Sequence, residues 1–228
     1  MKIQKTIFLL LFLSTTFGYS QIDNLTMFIN GVMVEVKPPD VDKALSQDWD
    51  ALQKTAHVKY LTPNYAEARI DNDIENKYEL RYNIYKDEME FVQNNQTYYT
   101  YKKEDQIINF FKIDKKFIIL KHEGKLSYFQ ILVKGNYSIY TKPKVEFMEG
   151  RLPKNNFEIK TESRFFKQKD KTFISINNNE LIKIPSNKKA FFDLFGNKQE
   201  EVKKYLKSKK LNRKKEEDLV LLFLHLNS

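Results

Sequence analysis

Tyr78-Glu-Leu-Arg-Tyr-Asn-Ile-Tyr-Lys-Asp-Glu-Met-Glu-Phe91 carries the period-two pattern of a β-hairpin with one buried face. A two-residue turn at Lys86-Asp87 would set Ile84 against Met89 and Tyr82 against Phe91. Leu80, Tyr82, Ile84, Met89 and Phe91 then share an apolar face. Glu79, Arg81, Asn83, Glu88 and Glu90 share the other, with Arg81 diagonal to Glu90.

The pattern continues downstream. Asn94-Asn95 turns the chain into Gln96–Lys102, which sets Tyr98 against Phe91 and Tyr99 beside Glu90. Further turns at Glu104-Asp105, Asp114-Lys115, Glu123-Gly124 and Gly135-Asn136 separate the expected strands Ile107–Lys112, Phe117–Lys121, Leu126–Lys134 and Tyr137–Lys142. Turn signals at roughly ten-residue spacing mark an antiparallel meander joined by local hairpins, and such short connections leave no room for the helical crossovers of a parallel sheet. Ile107–Phe111 and Phe117–Leu120 are apolar on both sides of the pleat, so both faces of the sheet centre must be covered. Glu149–Asn156 reads as the longest loop. Arg164–Lys167, Thr172–Ile176 and Leu181–Ile184 then resume the strand pattern until Pro185.

Upstream, Leu25–Lys37 reads as a hairpin about Asn30-Gly31. Val41, Leu45, Trp49, Leu52 and Ala56 recur at helical spacing behind Asp40 as N-cap, and Tyr65–Ile70 reads as a strand. After Pro185, three helices are expected: one capped at Ser186 or Asn187 and running to Phe195, one capped at Asn197 with Glu200 in a capping box, and Glu216–Leu226, whose nearly all-round apolar surface predicts burial. The expected fold is mainly β (α+β): a curved antiparallel meander sheet or half-barrel with a short N-terminal helix and a C-terminal helical segment.

Lys2 and Lys5 precede the apolar run Ile7–Leu13, and Gly18-Tyr19-Ser20 places small residues ahead of a cut at Gln21. This predicts a Sec-type signal peptide over residues 1–20, then a single β-rich domain over 21–228 with 186–228 as its helical segment. The run is too short to span a bilayer. With no cysteine anywhere in the chain, a lipoprotein anchor and disulfides are excluded. The expected destination is the periplasm or the cell exterior.

The hairpin Arg81-Tyr82-Asn83-Ile84-Tyr85-Lys86-Asp87-Glu88-Met89-Glu90 resembles a hairpin found in a family of exported Bacteroidetes-type proteins of no known activity. The Leu-x-x-Gly before a Tyr-rich strand (Leu132–Tyr140), the late Lys188-Lys189 pair and the terminal Asn227 are similar too. The resemblance spans about Tyr60 to Asn227 and implies export, but assigns no catalytic or binding role.

No residue pattern nominates a catalytic centre. His57, His122 and His225 lack metal-ligand spacing, so no metal site is expected. Six glycines form no phosphate loop, and no cofactor is expected. Arg81, Asn83, Glu90 and Tyr99 are the candidate ligand-binding residues. Set against that is a cross-strand ion pair on a solvated face, worth about 0.2–1 kcal/mol. The chain carries a net charge of +9, with a basic run at Lys203–Lys215. Export and the Glu216-Glu217-Asp218 that follows argue against nucleic acid; the run reads as a solvated connection, with contact to anionic lipopolysaccharide or lipid headgroups as the alternative. The leading expectation is a non-enzymatic envelope or secreted binding protein that takes an envelope partner or an apolar ligand on its curved sheet. A hydrolase or lyase acting on envelope polymers and a structural accessory subunit of an envelope complex are the alternatives.

Overall fold

The computed structural model describes residues 25–29, 32–36, 49–71, 75–155, 157–177 and 180–228. The expected signal peptide, the Asn30-Gly31 turn and the start of the helix expected from Asp40 lie outside them. In chain order the elements are β1 (Leu25–Ile29), β2 (Val32–Val36), α1 (Trp49–Thr55), β3 (Ala66–Ile70), β4 (Tyr78–Asn83), β5 (Glu88–Gln93), β6 (Gln96–Thr100), β7 (Ile107–Phe110), β8 (Lys115–His122), β9 (Lys125–Val133), β10 (Tyr137–Lys142), β11 (Val145–Met148), β12 (Arg164–Lys167), β13 (Lys171–Ile176), β14 (Ile182–Lys183), α2 (Lys188–Asp193), α3 (Gln199–Ser208) and α4 (Glu216–Leu226).

All strand pairs are antiparallel. One sheet runs β1-β2-β6-β5-β4-β3-β7-β8-β9-β10-β13-β14, and β11-β12 form a separate hairpin. The ten strands from β6 to β14 curl into the expected half-barrel, and the β1-β2 hairpin extends the β6 edge. Three neighbouring pairs are not consecutive in the chain, β2 with β6, β3 with β7, and β10 with β13, the last across the β11-β12 hairpin. β6 leads into β7, which pairs with β3 and β8 rather than with β6, while β2 pairs with β6. The uninterrupted meander is therefore corrected. The six residues Tyr101–Gln106 carry the chain past β5, β4 and β3, a passage open to so short a segment because the curl brings distant strands together.

The inner face shows that curl directly. The Tyr82 ring on β4 lies 5.0 Å from Phe117 on β8 and 5.5 Å from Tyr128 on β9, and Thr100 on β6 shares a 2.9 Å hydroxyl hydrogen bond with Tyr128. Tyr82, Tyr128, Phe110, Phe117, Leu80 and Met89 are fully buried there. Each such side chain contributes about 1.5–3 kcal/mol of apolar burial. Leu52 of α1 and Phe165 of β12 join the same core. Further along this face, Val133, Ile139 and Ile174 pack under α2, α3 and α4. On the outer face Ile118, Phe129, Tyr140 and Phe173 form a smaller cluster. The doubly apolar central strands are thus explained: Phe117 and Ile119 point inward while Ile118 points outward.

The β4-β5 turn differs from expectation. It holds four residues, Ile84–Asp87, and the register is Asn83↔Glu88, Tyr82↔Met89 and Arg81↔Glu90. A tight two-residue turn wants a left-handed first residue, which suits glycine or asparagine and not Lys86. Here Asp87 alone is left-handed (φ 56°), Asn83 Oδ1 accepts from Lys86 N at 3.0 Å, and Ile84 N donates to Lys59 O. The shift of two residues keeps every side chain on its expected face and sets Arg81 directly opposite Glu90. At Asn94-Asn95 both residues are left-handed, and the turn is the two-residue one expected.

Two helical expectations are also corrected. Asn187 caps α2 by accepting from Ala190 N at 3.0 Å, but Asn197 lies within a 3₁₀ turn, Gly196–Lys198, so the capping box does not form. In α4, Leu219, Leu222, Phe223 and Leu226 are buried, whereas Leu221 and Leu224 stand about half exposed because the helix lies at the surface with one face outward. Between α1 and β3 the chain forms a 3₁₀ turn, Ala56–Lys59, followed by a single bridge, Tyr60↔Asn83.

Candidate functional site

Cross-strand register brings the four candidate residues together. Arg81, Glu90 and Tyr99 occupy one row across β4, β5 and β6, and Asn83 lies two residues along. The face is not solvated: Asn83 is 2 %, Glu90 3 % and Tyr99 8 % exposed. Arg81 Nη2 and Nε donate to Glu90 Oε2 at 2.8 and 3.3 Å. Asn83 Nδ2 donates to the other oxygen at 2.7 Å. The loop ahead of β3 covers the guanidinium. Arg81 stacks 3.7 Å from the Tyr60 ring and 4.4 Å from Tyr65, donates to the Tyr65 hydroxyl at 3.2 Å, and donates to Pro63 O at 3.3 Å. Burial raises the Tyr60 phenol above its ordinary range; the Glu90 carboxylate adds to the rise and Arg81 opposes it.

The cluster is thus a buried pair whose donors and acceptors satisfy one another. The sequence pattern fixes the face but gives no sign that Tyr60, Pro63 and Tyr65 would fold over it. Chemically the arrangement holds β4 to β5 and to the loop.

A second cluster joins residues that the sequence keeps apart. Asp87 Oδ1 accepts from the Tyr82 hydroxyl at 2.6 Å and from Tyr128 N at 3.3 Å, and its Oδ2 accepts from Lys142 Nζ at 2.9 Å. Beside it Lys102 Nζ donates to Glu88 at 3.1 Å and lies 5.2 Å over the Tyr128 ring. Burial pushes the Tyr82 phenol well up, reinforced by Asp87. Burial likewise raises Tyr128 and lowers Lys142, the latter against the pull of Asp87. Perturbed groups gather at functional sites, and structural ion-pair networks perturb them as well. Here each perturbed group already has a partner within the cluster, which pins the β4-β5 turn across the curl to β9 and β10. Lys142 lies 55 residues from Asp87, and no local spacing in the sequence could have paired them.

Open space lies on the outer face. A groove of about 830 Å³ has Ile118, Leu120, Tyr140 and Leu181 on its floor and Glu104, Asp105, Lys121, Glu123, Lys134 and Glu180 among its rim residues. His122 reaches into the wall, 4.8 Å from the Phe173 ring and 3.6 Å from Glu123. The rim carboxylates are exposed. Among the described residues no group of three or more His, Cys, Asp or Glu is placed to hold a metal ion, and no helix is long and apolar enough to cross a membrane. The loop between β11 and β12 presents Leu152, Phe157 and Ile159 at 73 %, 96 % and 89 % exposure.

No family model, curated protein or solved structure matches the chain.

Proposed function

We propose that the chain is an exported, non-enzymatic binding protein of a bacterial envelope that meets its partner or an apolar ligand on the outer face of its curled sheet. The reading rests on one observation. The inner face, where a half-barrel would take a ligand, is filled by the protein's own Tyr82, Phe110, Phe117 and Tyr128. The groove over Ile118, Leu120, Tyr140 and Leu181 is accessible from outside, with an apolar floor and a charged rim. The signal-peptide pattern of Lys2–Ser20 supports export. Native mass spectrometry of the protein purified from its own envelope tests the reading. The wild type is expected to carry a bound species that Leu120→Asp loses; a ligand-free monomer in both cases overturns it.

The second reading is a hydrolase or lyase acting on envelope polymers. It is favoured by the same groove, which gathers His122 with four carboxylates, those of Glu104, Asp105, Glu123 and Glu180. Release of soluble fragments from purified envelope polymer, abolished by His122→Ala, would establish it. The exposure of all four carboxylates argues for the binding reading, because a general acid or base works best out of bulk water.

A further inference from the structure

The basic run Lys203–Lys215 is only part of a larger charged band. Lys167, Lys169 and Lys171 from β12, β13 and the turn between them, Lys183 from β14, and Lys214 and Lys215 from the connection before α4 line one groove of about 860 Å³. Lys188 and Lys189 of α2 with Lys203 and Lys207 of α3 line a second, of about 810 Å³. Arg213 belongs to both. It donates to Pro185 O and Ser186 O at 3.2 and 2.6 Å, so the wall between the grooves is fixed.

Eleven cations therefore line the two grooves against three carboxylates, those of Asp170, Glu216 and Glu217. That surplus of eight compares with +9 for the whole chain. The two linings thus form one strongly positive band, built from segments up to about fifty residues apart, with Glu200, Asp193 and Asp218 adjoining the second groove through Lys203, Gln199 and the Asn212 amide. Neutralisation within the band is slight. Lys203 pairs with Glu200, and Glu216 is engaged by the Thr172 hydroxyl. Lys183, Lys188, Lys189, Lys207, Lys214 and Lys215 make no ion pair among the described residues. Like charges so gathered repel one another and raise a local potential of several kT, which a dense array of anions relieves. The second groove adds a chemical detail. Its lining contains no carboxylate, and beneath its lysines lie Phe192, Leu206 and Leu211. A phosphate seated among the lysines would have an apolar neighbour, the arrangement of an anionic amphiphile.

We propose that this band docks the protein onto a membrane surface bearing anionic phospholipid headgroups, with phosphates taken by the lysines and Arg213 at the centre of the contact. A free phosphate has no use for the apolar floor, and a membrane leaflet supplies many anions at once across a band of this breadth. The contact is independent of the outer groove, so Leu120→Asp leaves it intact and the two readings fail separately.

Sedimentation with vesicles tests the inference. The full chain is expected to bind vesicles containing phosphatidylglycerol at least about ten-fold more tightly than vesicles of phosphatidylcholine alone, with the difference falling as salt rises. Lys188→Glu/Lys189→Glu and Lys214→Glu/Lys215→Glu are each expected to weaken binding by ten-fold or more, since each cation near an anionic surface is worth about a five-fold effect. All four residues are exposed, and thermal melting checks that the variants stay folded. Lys116→Glu/Lys125→Glu, on exposed sites outside the band, makes the same change in net charge and is expected to have little effect. Equal binding to both vesicle types, equal loss in the control variant, or tighter binding to tripolyphosphate or duplex DNA than to phosphatidylglycerol vesicles at the same ionic strength overturns the proposal.

Discussion

Asn227 holds both backbone groups of Tyr137: its Oδ1 accepts from Tyr137 N at 2.9 Å and its Nδ2 donates to Tyr137 O at 2.7 Å. The same amide donates to Phe223 O at 2.9 Å, so one side chain ties the end of α4 to the start of β10. Gly135 makes the approach feasible, because a Cβ there would lie 2.5 Å from Asn227 Oδ1. Asn227→Ala leaves two strand groups and a helix carbonyl to water at this exposed site, and the expected loss is about 0.5–1.5 kcal/mol by denaturant unfolding. Gly135→Ala should cost a similar amount by displacing the amide. The double variant should lose much less than the sum, as expected for two changes that break one contact. Additive losses would show that the glycine acts on something other than Asn227.

Arg81 and Glu90 form a pair buried enough to behave unlike a surface ion pair. Their side chains are 18 % and 3 % exposed. Arg81→Ala strands the Glu90 carboxylate with Asn83 as its remaining donor and opens a gap between Tyr60 and Tyr65. The expected loss is about 3–5 kcal/mol, against the 0.2–1 kcal/mol of a solvated pair. Arg81→Met combined with Glu90→Leu should recover much of it, since no uncompensated charge then remains. A loss below about 1 kcal/mol in the single variant would place the pair in water.

Alternation in Tyr78–Phe91 made the faces legible, because a strand's side-chain period survives an error in turn length. The Asn94-Asn95 turn and the α4 boundaries were legible because their chemistry is local. What sequence could not show is where distant segments meet. The passage from β6 to β7 looks like another hairpin until the curl of the sheet is known. The loop of Pro63 and Tyr65 over Arg81, the reach of Asp87 to Lys142, and the lysines of β12–β14 that join the run after Lys203 are all contacts between segments far apart in the chain. Gly135 and Asn227, far apart in the chain, prove to be neighbours: the Asn227 amide fills the space that a Cβ on residue 135 would take.

The Asp87 cluster should report itself at alkaline pH. In the folded protein Tyr82 titrates well above 10.0, from burial and then from Asp87, and Tyr128 and Tyr60 are also raised, with burial the largest cause for each. From about pH 10 upward the unfolded chain releases these protons while the folded one keeps them. The folded state then binds more protons, and stability present below pH 10 is lost as pH rises, by up to about 1.4 kcal/mol per pH unit per group. Lys142 has the opposite sign. Its folded value lies below 10.5, so the unfolded chain holds the extra proton between the two values and stability rises with pH there. Three phenols outweigh one ammonium, and a net fall is expected above pH 10. Absorbance at 295 nm should show Tyr82 and Tyr128 ionising only as the protein unfolds. Tyr82→Phe forfeits the hydrogen bond to Asp87, costing about 1 kcal/mol at pH 8. It also removes one raised phenol, so its deficit relative to wild type should shrink and then reverse as pH passes 10. A deficit constant across that range would mean that Tyr82 titrates in the folded state as it does in water.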